Sequence, residues 1–180
     1  MARIKSDLST GEYAILGVLR ERPMHGYEVA RRFAADLDLG LVLPMDMSTV
    51  YTLLKDLQEH GLIEGQREVV GLRPPRMVFH LTPEAEAAFY RWLEEPVERL
   101  RAVRSELLVK LYFARTISSA LTARLLDAQI AACHAYRDRL AALAAAAEPH
   151  SFERLVLRSK VTAADATLAW LQEERAALEG

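Results

Sequence analysis

Asp46-Met-Ser-Thr-Val-Tyr-Thr-Leu-Leu-Lys-Asp-Leu-Gln-Glu-His-Gly61 is the stretch on which the fold turns. At 100° per residue, Val50, Leu53, Leu54 and Leu57 fall within an arc of about 100°, the width of one buried helix face. Asp46 or Ser48 caps the start of this helix and Gly61 ends it. The opposite arc carries Ser48, Tyr51, Thr52, Lys55 and Glu59. A leucine face behind and a face of hydroxyls and a lysine in front describe a helix anchored in a core and presenting polar groups outward.

Two helices precede it. Ser9 and Glu12 have capping-box spacing at the head of the first, and Pro23 ends it. Tyr13, Leu16 and Leu19 share one side while Ile15 and Val18 point roughly opposite, so this helix needs cover on two sides. Its second cover is expected from the C-terminal helices or another subunit. The next helix starts near His25-Gly26-Tyr27-Glu28, with Tyr27 and Ala30 directed inward, followed by Phe33 and Leu37. Gly40 to Asp46, with Pro44, reads as a connection.

Downstream, Leu62–Val70 and Arg76–Thr82 are two β-forming runs separated by Gly71-Leu-Arg-Pro-Pro75. Met77, Phe79 and Leu81 alternate with Val78 and His80, the period of a half-buried strand. The prolines cannot donate ladder bonds and belong at the loop tip. The pair is a two-stranded hairpin that must pack on the helices, since a lone hairpin is marginal in water. Thr82 caps a further helix with Pro83 at its first position, carrying Ala85, Phe89, Trp92 and Leu93.

Beyond Pro96 the texture changes. Six of the seven prolines and seven of the eight glycines lie up to that point. The remainder of the chain is rich in helix formers, with helices expected over roughly 97 to 115, 119 to 147 and 150 to 178. Leu126, Ile130, Cys133, Tyr136, Leu140 and Leu143 form one stripe. Leu157, Val161, Ala164, Leu168, Leu171 and Leu178 form a heptad seam broken by Arg175. Long striped helices need partners, and a second copy of the chain is the economical one. The division expected is residues 1–95 as a winged helix-turn-helix and residues 96–180 as a helical dimerisation and effector domain. The fold class is mainly α with a small β-hairpin.

Composition narrows the function classes. The chain has 180 residues and a formal net charge of −2, with 23 Lys plus Arg against 25 Asp plus Glu. Its single cysteine, Cys133, excludes an internal disulfide framework. Ala141–Ala147, the longest strongly apolar stretch, is far short of the roughly 20 residues a membrane span requires. Met1-Ala-Arg-Ile-Lys-Ser-Asp7 has no apolar run behind its basic residues, so no signal peptide is expected. Secreted and membrane classes drop out, leaving a cytoplasmic protein. His25, His60, His80, His134 and His150 are scattered and give no zinc spacing, so neither metal nor cofactor is expected. No phosphate loop, nucleophile elbow or metalloprotease helix is present, and nothing asks for an enzyme.

Helix, helix, helix and a hairpin with a basic tip is the order of a winged helix-turn-helix. Ser48, Thr49, Tyr51, Thr52 and Lys55 suit base edges and phosphates, while Arg73 and Arg76 at the wing suit phosphate or the minor groove. Arg31 and Arg32 add charge nearby. Charge pulls the other way: residues 1–95 hold 11 Lys plus Arg and 15 Asp plus Glu, a net −4. DNA binding therefore requires the cations to be gathered on one face. The rival reading is a winged-helix module that binds protein and no nucleic acid.

Several runs together resemble the PadR family of bacterial transcriptional regulators. They are Tyr13 to Leu19, Pro23-Met-His-Gly-Tyr-Glu-Val29, Ser48-Thr-Val-Tyr-Thr-Leu-Leu-Lys-Asp-Leu57, His60-Gly-Leu-Ile-Glu64 and Arg76-Met-Val-Phe-His-Leu-Thr82. Trp92-Leu-Glu-Glu-Pro96 and Glu106-Leu-Leu-Val-Lys-Leu-Tyr-Phe-Ala114 resemble its longer subfamily with a virulence-activator-like helical domain. The resemblance implies a homodimer that binds a near-palindromic operator in double-stranded DNA, usually as a repressor. It also implies release, in some members, by a small aromatic acid or apolar compound. It sets Ser48, Thr49, Tyr51, Thr52 and Lys55 on the recognition helix and Arg73 and Arg76 on the wing. The wing departs from the family's Gly-Arg-Pro by an inserted-looking Leu72 and a second proline. Two copies of Trp92 at a dimer interface would form an aromatic slot, making Trp92 the candidate effector residue. Leu157, Val161, Leu168 and Leu171 are the expected dimer seam.

Overall fold

The computed structural model describes residues 8–68, 76–98 and 100–178. The chain divides into two compact units: residues 1–93 with 108–113, and residues 94–107 with 114–180. A boundary near residue 95 was expected. A short piece from later in the sequence joining the first unit was not.

In the first unit, α1 (Thr10–Glu21) opens with the expected capping box. Ser9 Oγ accepts the Glu12 N–H at 3.2 Å, and the Glu12 carboxylate accepts both the Ser9 N–H and its hydroxyl at 2.7 Å. Ala14 to Leu19 are buried without a break. Some of the second cover comes from α6 (Glu106–Ile117), whose Phe113 ring lies against Gly17.

The expected second helix stops early as α2 (Gly26–Arg31), and a further short helix, α3 (Asp38–Val42), takes up the first three residues of the Gly40–Asp46 stretch read as a connection. Between them the Phe33, Ala34 and Leu37 N–H groups each bond three residues back, tightening the chain out of the α-helical path. Phe33 is buried as expected, but Tyr27 is 54% exposed. Val29 and Ala30 set the inward side of so short a helix, and Tyr27 lies about 200° round from Val29.

Helix α4 (Met47–Glu59) is capped by Asp46, which accepts the Thr49 N–H at 2.6 Å. That bond, then the Thr49 side chain, holds the Asp46 carboxyl below its ordinary value. Val50, Leu54 and Leu57 are buried and Leu53 is half-buried beside Gly11. Gly61, at φ 69°, ends the helix in a Schellman turn: its N–H bonds Gln58 O at 3.0 Å and the Leu62 N–H bonds Leu57 O at 2.9 Å.

The wing is larger by one strand than the hairpin expected. Strands β2 (Ile63–Glu68) and β3 (Arg76–Leu81) pair antiparallel from Ile63↔Leu81 to Glu68↔Arg76. A two-residue β1 (Met24–His25) joins the other edge of β3 through Met24↔Phe79 and His25↔Val78. Helix α5 (Pro83–Glu94) is capped by Thr82, whose Oγ1 accepts the Ala85 N–H and donates to Leu62 O. Its Phe89, Trp92 and Leu93 are buried.

The second unit is built on an antiparallel pair, α7 (Ser119–Ala146) and α8 (Phe152–Ala176), capped by Ser118 and Ser151. A 3-10 turn over Leu100–Arg104 precedes α6. Arg137–Asp165 and Arg175–Asp127, at 2.9 and 2.8 Å, cross between the paired helices, so the Arg175 that interrupts the seam is used in an ion pair. Gln129, buried, receives the Val97 N–H at 2.8 Å and donates to Val97 O at 3.1 Å, pinning the stretch after Pro96. On α7 the buried set is Leu121, Thr122, Leu125, Leu126, Gln129, Cys133, Leu140 and Ala144; Leu143, expected in the stripe, is exposed. On α8, Leu168 and Leu171 are buried within the single chain, while Leu157 and Val161 are half-buried. Phe152 (79% exposed) and Leu155 (63%) are the large apolar groups that α8 leaves uncovered.

Candidate nucleic-acid interface

The buried leucines of α4 turn Ser48, Thr49, Tyr51, Thr52 and Lys55 outward, and all five are exposed. Gln58, also exposed, shares their face, one heptad beyond Tyr51. Sequence reasoning passed over it, although its spacing from Tyr51 and Lys55 carried the signal. Thr52 Oγ1 donates to Ser48 O at 3.0 Å, leaving its lone pairs and the Ser48 hydroxyl on the surface. Lys55 Nζ lies 3.6 Å from Glu59 Oε1, with both side chains largely exposed, an ion pair weak enough for a phosphate to replace.

Arg76 opens β3 beside this helix-turn-helix and is exposed. Its guanidinium lies 3.5 Å from His25 Nε2 at the β1–α2 junction, and the same His25 nitrogen is 3.5 Å from Glu28 Oε2. Partial desolvation pushes the Glu28 carboxyl up. The Arg22 hydrogen bond and the charges of His25 and Arg22 outweigh that and hold it below its usual value. The Tyr51 ring rests on Gly26, the next residue of the same junction. Tyr51 and Arg76, from different elements, thus lean on adjacent residues. Arg73, expected from the sequence at the wing tip, lies outside the described residues.

Arg31 is exposed, but Arg32 is committed elsewhere. Its guanidinium donates to both Glu21 oxygens at 2.8 and 2.9 Å and to the Tyr112 hydroxyl at 3.1 Å. The Glu21 bond leads in raising its pKa further above the ordinary arginine value. Among the described residues, Lys55, Arg67 and Arg76 share α4 and the wing strands with exposed Glu59, Glu64 and Glu68. The surface is hydroxyl-rich and mixed in charge.

Trp92 is buried, stacked on Tyr13 at 4.6 Å between centroids and 6° between planes, with Lys110 Nζ 4.9 Å from its ring centre. Lys110 is itself buried. Among the described residues no group of three or more His, Cys, Asp or Glu is placed to hold a metal, and no helix is long and apolar enough to cross a membrane.

Three helices in helix-turn-helix order, a β wing and an outward helix of hydroxyls define a winged-helix regulator. Residues 15–91 match the Transcriptional regulator PadR-like family, and residues 103–179 match Virulence activator alpha C-term. The chain thus carries a PadR-like domain followed by a virulence-activator C-terminal domain, and the PadR-like family is one of transcriptional regulators. It is similar to the negative transcriptional regulator PadR of Bacillus subtilis (strain 168), 27% identical over 171 residues, 89% of this chain and 93% of that protein. Among solved structures it is similar to Bacillus subtilis PadR in complex with operator DNA, at 26% identity and TM-score 0.47 over 91% of this chain and 97% of that one. It is also similar to Bacillus subtilis PadR in complex with p-coumaric acid, at 24% identity and TM-score 0.41 over 95% of this chain and 96% of that one.

Proposed function

We propose that this chain is a repressor that binds operator DNA as a homodimer, inserts α4 into the major groove and sets the wing against the backbone or minor groove. The observation that carries this is the two-sided character of α4: Val50, Leu54 and Leu57 buried, and Ser48, Thr49, Tyr51, Thr52 and Lys55 exposed on the other side. A domain that matches a family of transcriptional regulators and similarity to a negative regulator support the same reading. With a mixed-charge surface, phosphate attraction supplies less of the affinity than in a basic domain, and base-edge contacts supply correspondingly more.

The dimer reading is supported by Phe152 and Leu155, apolar surface on α8 that one chain leaves open. For an effector, the Tyr13–Trp92–Lys110 cluster combines aromatic faces with an ammonium, the chemistry suited to a small aromatic acid. The test of DNA binding is selection of duplexes from a randomised pool by the full chain, followed by titration at several salt concentrations. Enrichment of a near-palindromic sequence is expected. Failure to enrich any duplex, with retention of a protein partner through the same face, would establish the interaction-module reading instead.

A further inference from the structure

We infer that Gly26 is a positioning residue for DNA recognition: having no side chain, it seats the Tyr51 ring on the first turn of α2 and so fixes where the Tyr51 hydroxyl stands over the exposed face of α4. This rests on the reading of α4 as the helix that faces the duplex. A methyl group on Gly26 would lie 2.7 Å from Tyr51 Cε1, 2.9 Å from Cζ and 3.1 Å from the hydroxyl oxygen. Contacts below 3.0 Å are not sustained by real side chains, so with alanine at 26 the ring has to leave its seat. Gly26 is itself buried, whereas Tyr51 is 45% exposed, so the phenol end is held close at Gly26 while much of the side chain stays open to a partner.

The backbone does not ask for glycine here. Gly61 is the glycine with positive φ among the described residues, so Gly26 has a conformation that any L residue adopts. It stands at the first position of α2, and alanine forms helix better than glycine. The choice of residue therefore sacrifices local helix stability, and the close approach of the ring accounts for it. An exposed tyrosine without a seat samples several rotamers, and each must be frozen out when it meets a base or phosphate. Because Arg76 reaches His25, the preceding residue, the same junction also relates the helix contact to the wing contact.

The prediction separates binding from stability. The probe is the duplex that the unaltered full chain enriches from a randomised pool, with an unrelated duplex as control. Gly26→Ala is expected to keep or raise Tm, because the three atoms nearest the methyl all belong to the movable end of an exposed side chain. It is expected to weaken the enriched duplex by roughly tenfold, the scale of one lost base contact, and to leave the unrelated duplex nearly unchanged. In a Tyr51→Ala background the same replacement should cause no further loss, an epistasis that a general structural role would not produce. Equal losses in both backgrounds, an unchanged preference for the enriched duplex, or a fall in Tm that persists in the double variant would each overturn the role of Gly26 while leaving DNA binding intact. A wild-type chain that enriches no duplex removes the reading beneath it instead.

Discussion

Gly17 lies mid-way along α1, where a methyl group would fall 2.5 Å from Cζ of the Phe113 ring. Unlike Tyr51, Phe113 is wholly buried and edge-on to Phe89 at 5.3 Å, so it has nowhere to swing. Gly17→Ala is expected to lower stability by about 1–3 kcal/mol, the usual cost of overpacking a core. Urea denaturation checks this, and an unchanged midpoint would show that the ring yields. Asp46 gives a pH-dependent counterpart. Its folded-state carboxyl is depressed by the Thr49 N–H, so its contribution is present above the ordinary aspartate value and is lost as pH falls through the folded one. Asp46→Ala is expected to be less stable than wild type at neutral pH, with the gap closing in acid. At this scale the sequence narrowed the cap to Asp46 or Ser48 and announced the exposed α4 side chains, because both follow from local spacing. The roles of Gly17 and Gly26 were invisible, since each is defined by a ring arriving from another element.

Among elements, α4 was legible from periodicity alone, β3 from alternation and β2 from its run of β-forming residues. β1 was not: two residues carry no period, and its pairing partner in β3 lies far along the chain. The break between α2 and α3 was missed for a related reason. Tyr27, Ala30, Phe33 and Leu37 suggested one continuous helix, and the three-residue turns at Phe33, Ala34 and Leu37 depart from it. The Gln129 clamp on Val97 makes a prediction that belongs here. Gln129→Leu strips both partners from a buried backbone N–H and C=O, and is expected to cost about 1–3 kcal/mol. Hydrogen exchange at the Val97 amide should rise more than the global unfolding rate explains. For α4 and the wing, Lys55→Ala and Arg73→Ala are each expected to weaken duplex binding and reduce the salt slope by about one phosphate's worth. Slopes identical to wild type would remove these two residues from the contact.

For the whole molecule, surface exposure redirects the dimer question. Leu168 and Leu171 are buried within one chain, so charged replacements there are expected to unfold the α7–α8 pair rather than merely separate a dimer into monomers. Phe152→Asp and Leu155→Asp leave that interior intact and are the cleaner probes. Sedimentation should show them shifted toward monomer with Tm at low concentration little changed, and variants that stay dimeric would exclude this patch as the contact. The expected division at residue 95 came from where proline and glycine stop. The allegiance of residues 108–113 to the first unit was not legible, because α6 runs unbroken from Glu106 to Ile117 and its sequence shows no seam. That allegiance has a consequence during synthesis. A nascent chain that has reached residue 95 possesses every helix and strand of the wing fold, yet the socket over Gly17 still lacks its stopper. The first unit completes only after translation has delivered Phe113, so the N-terminal half waits on a ring made well after its own last residue.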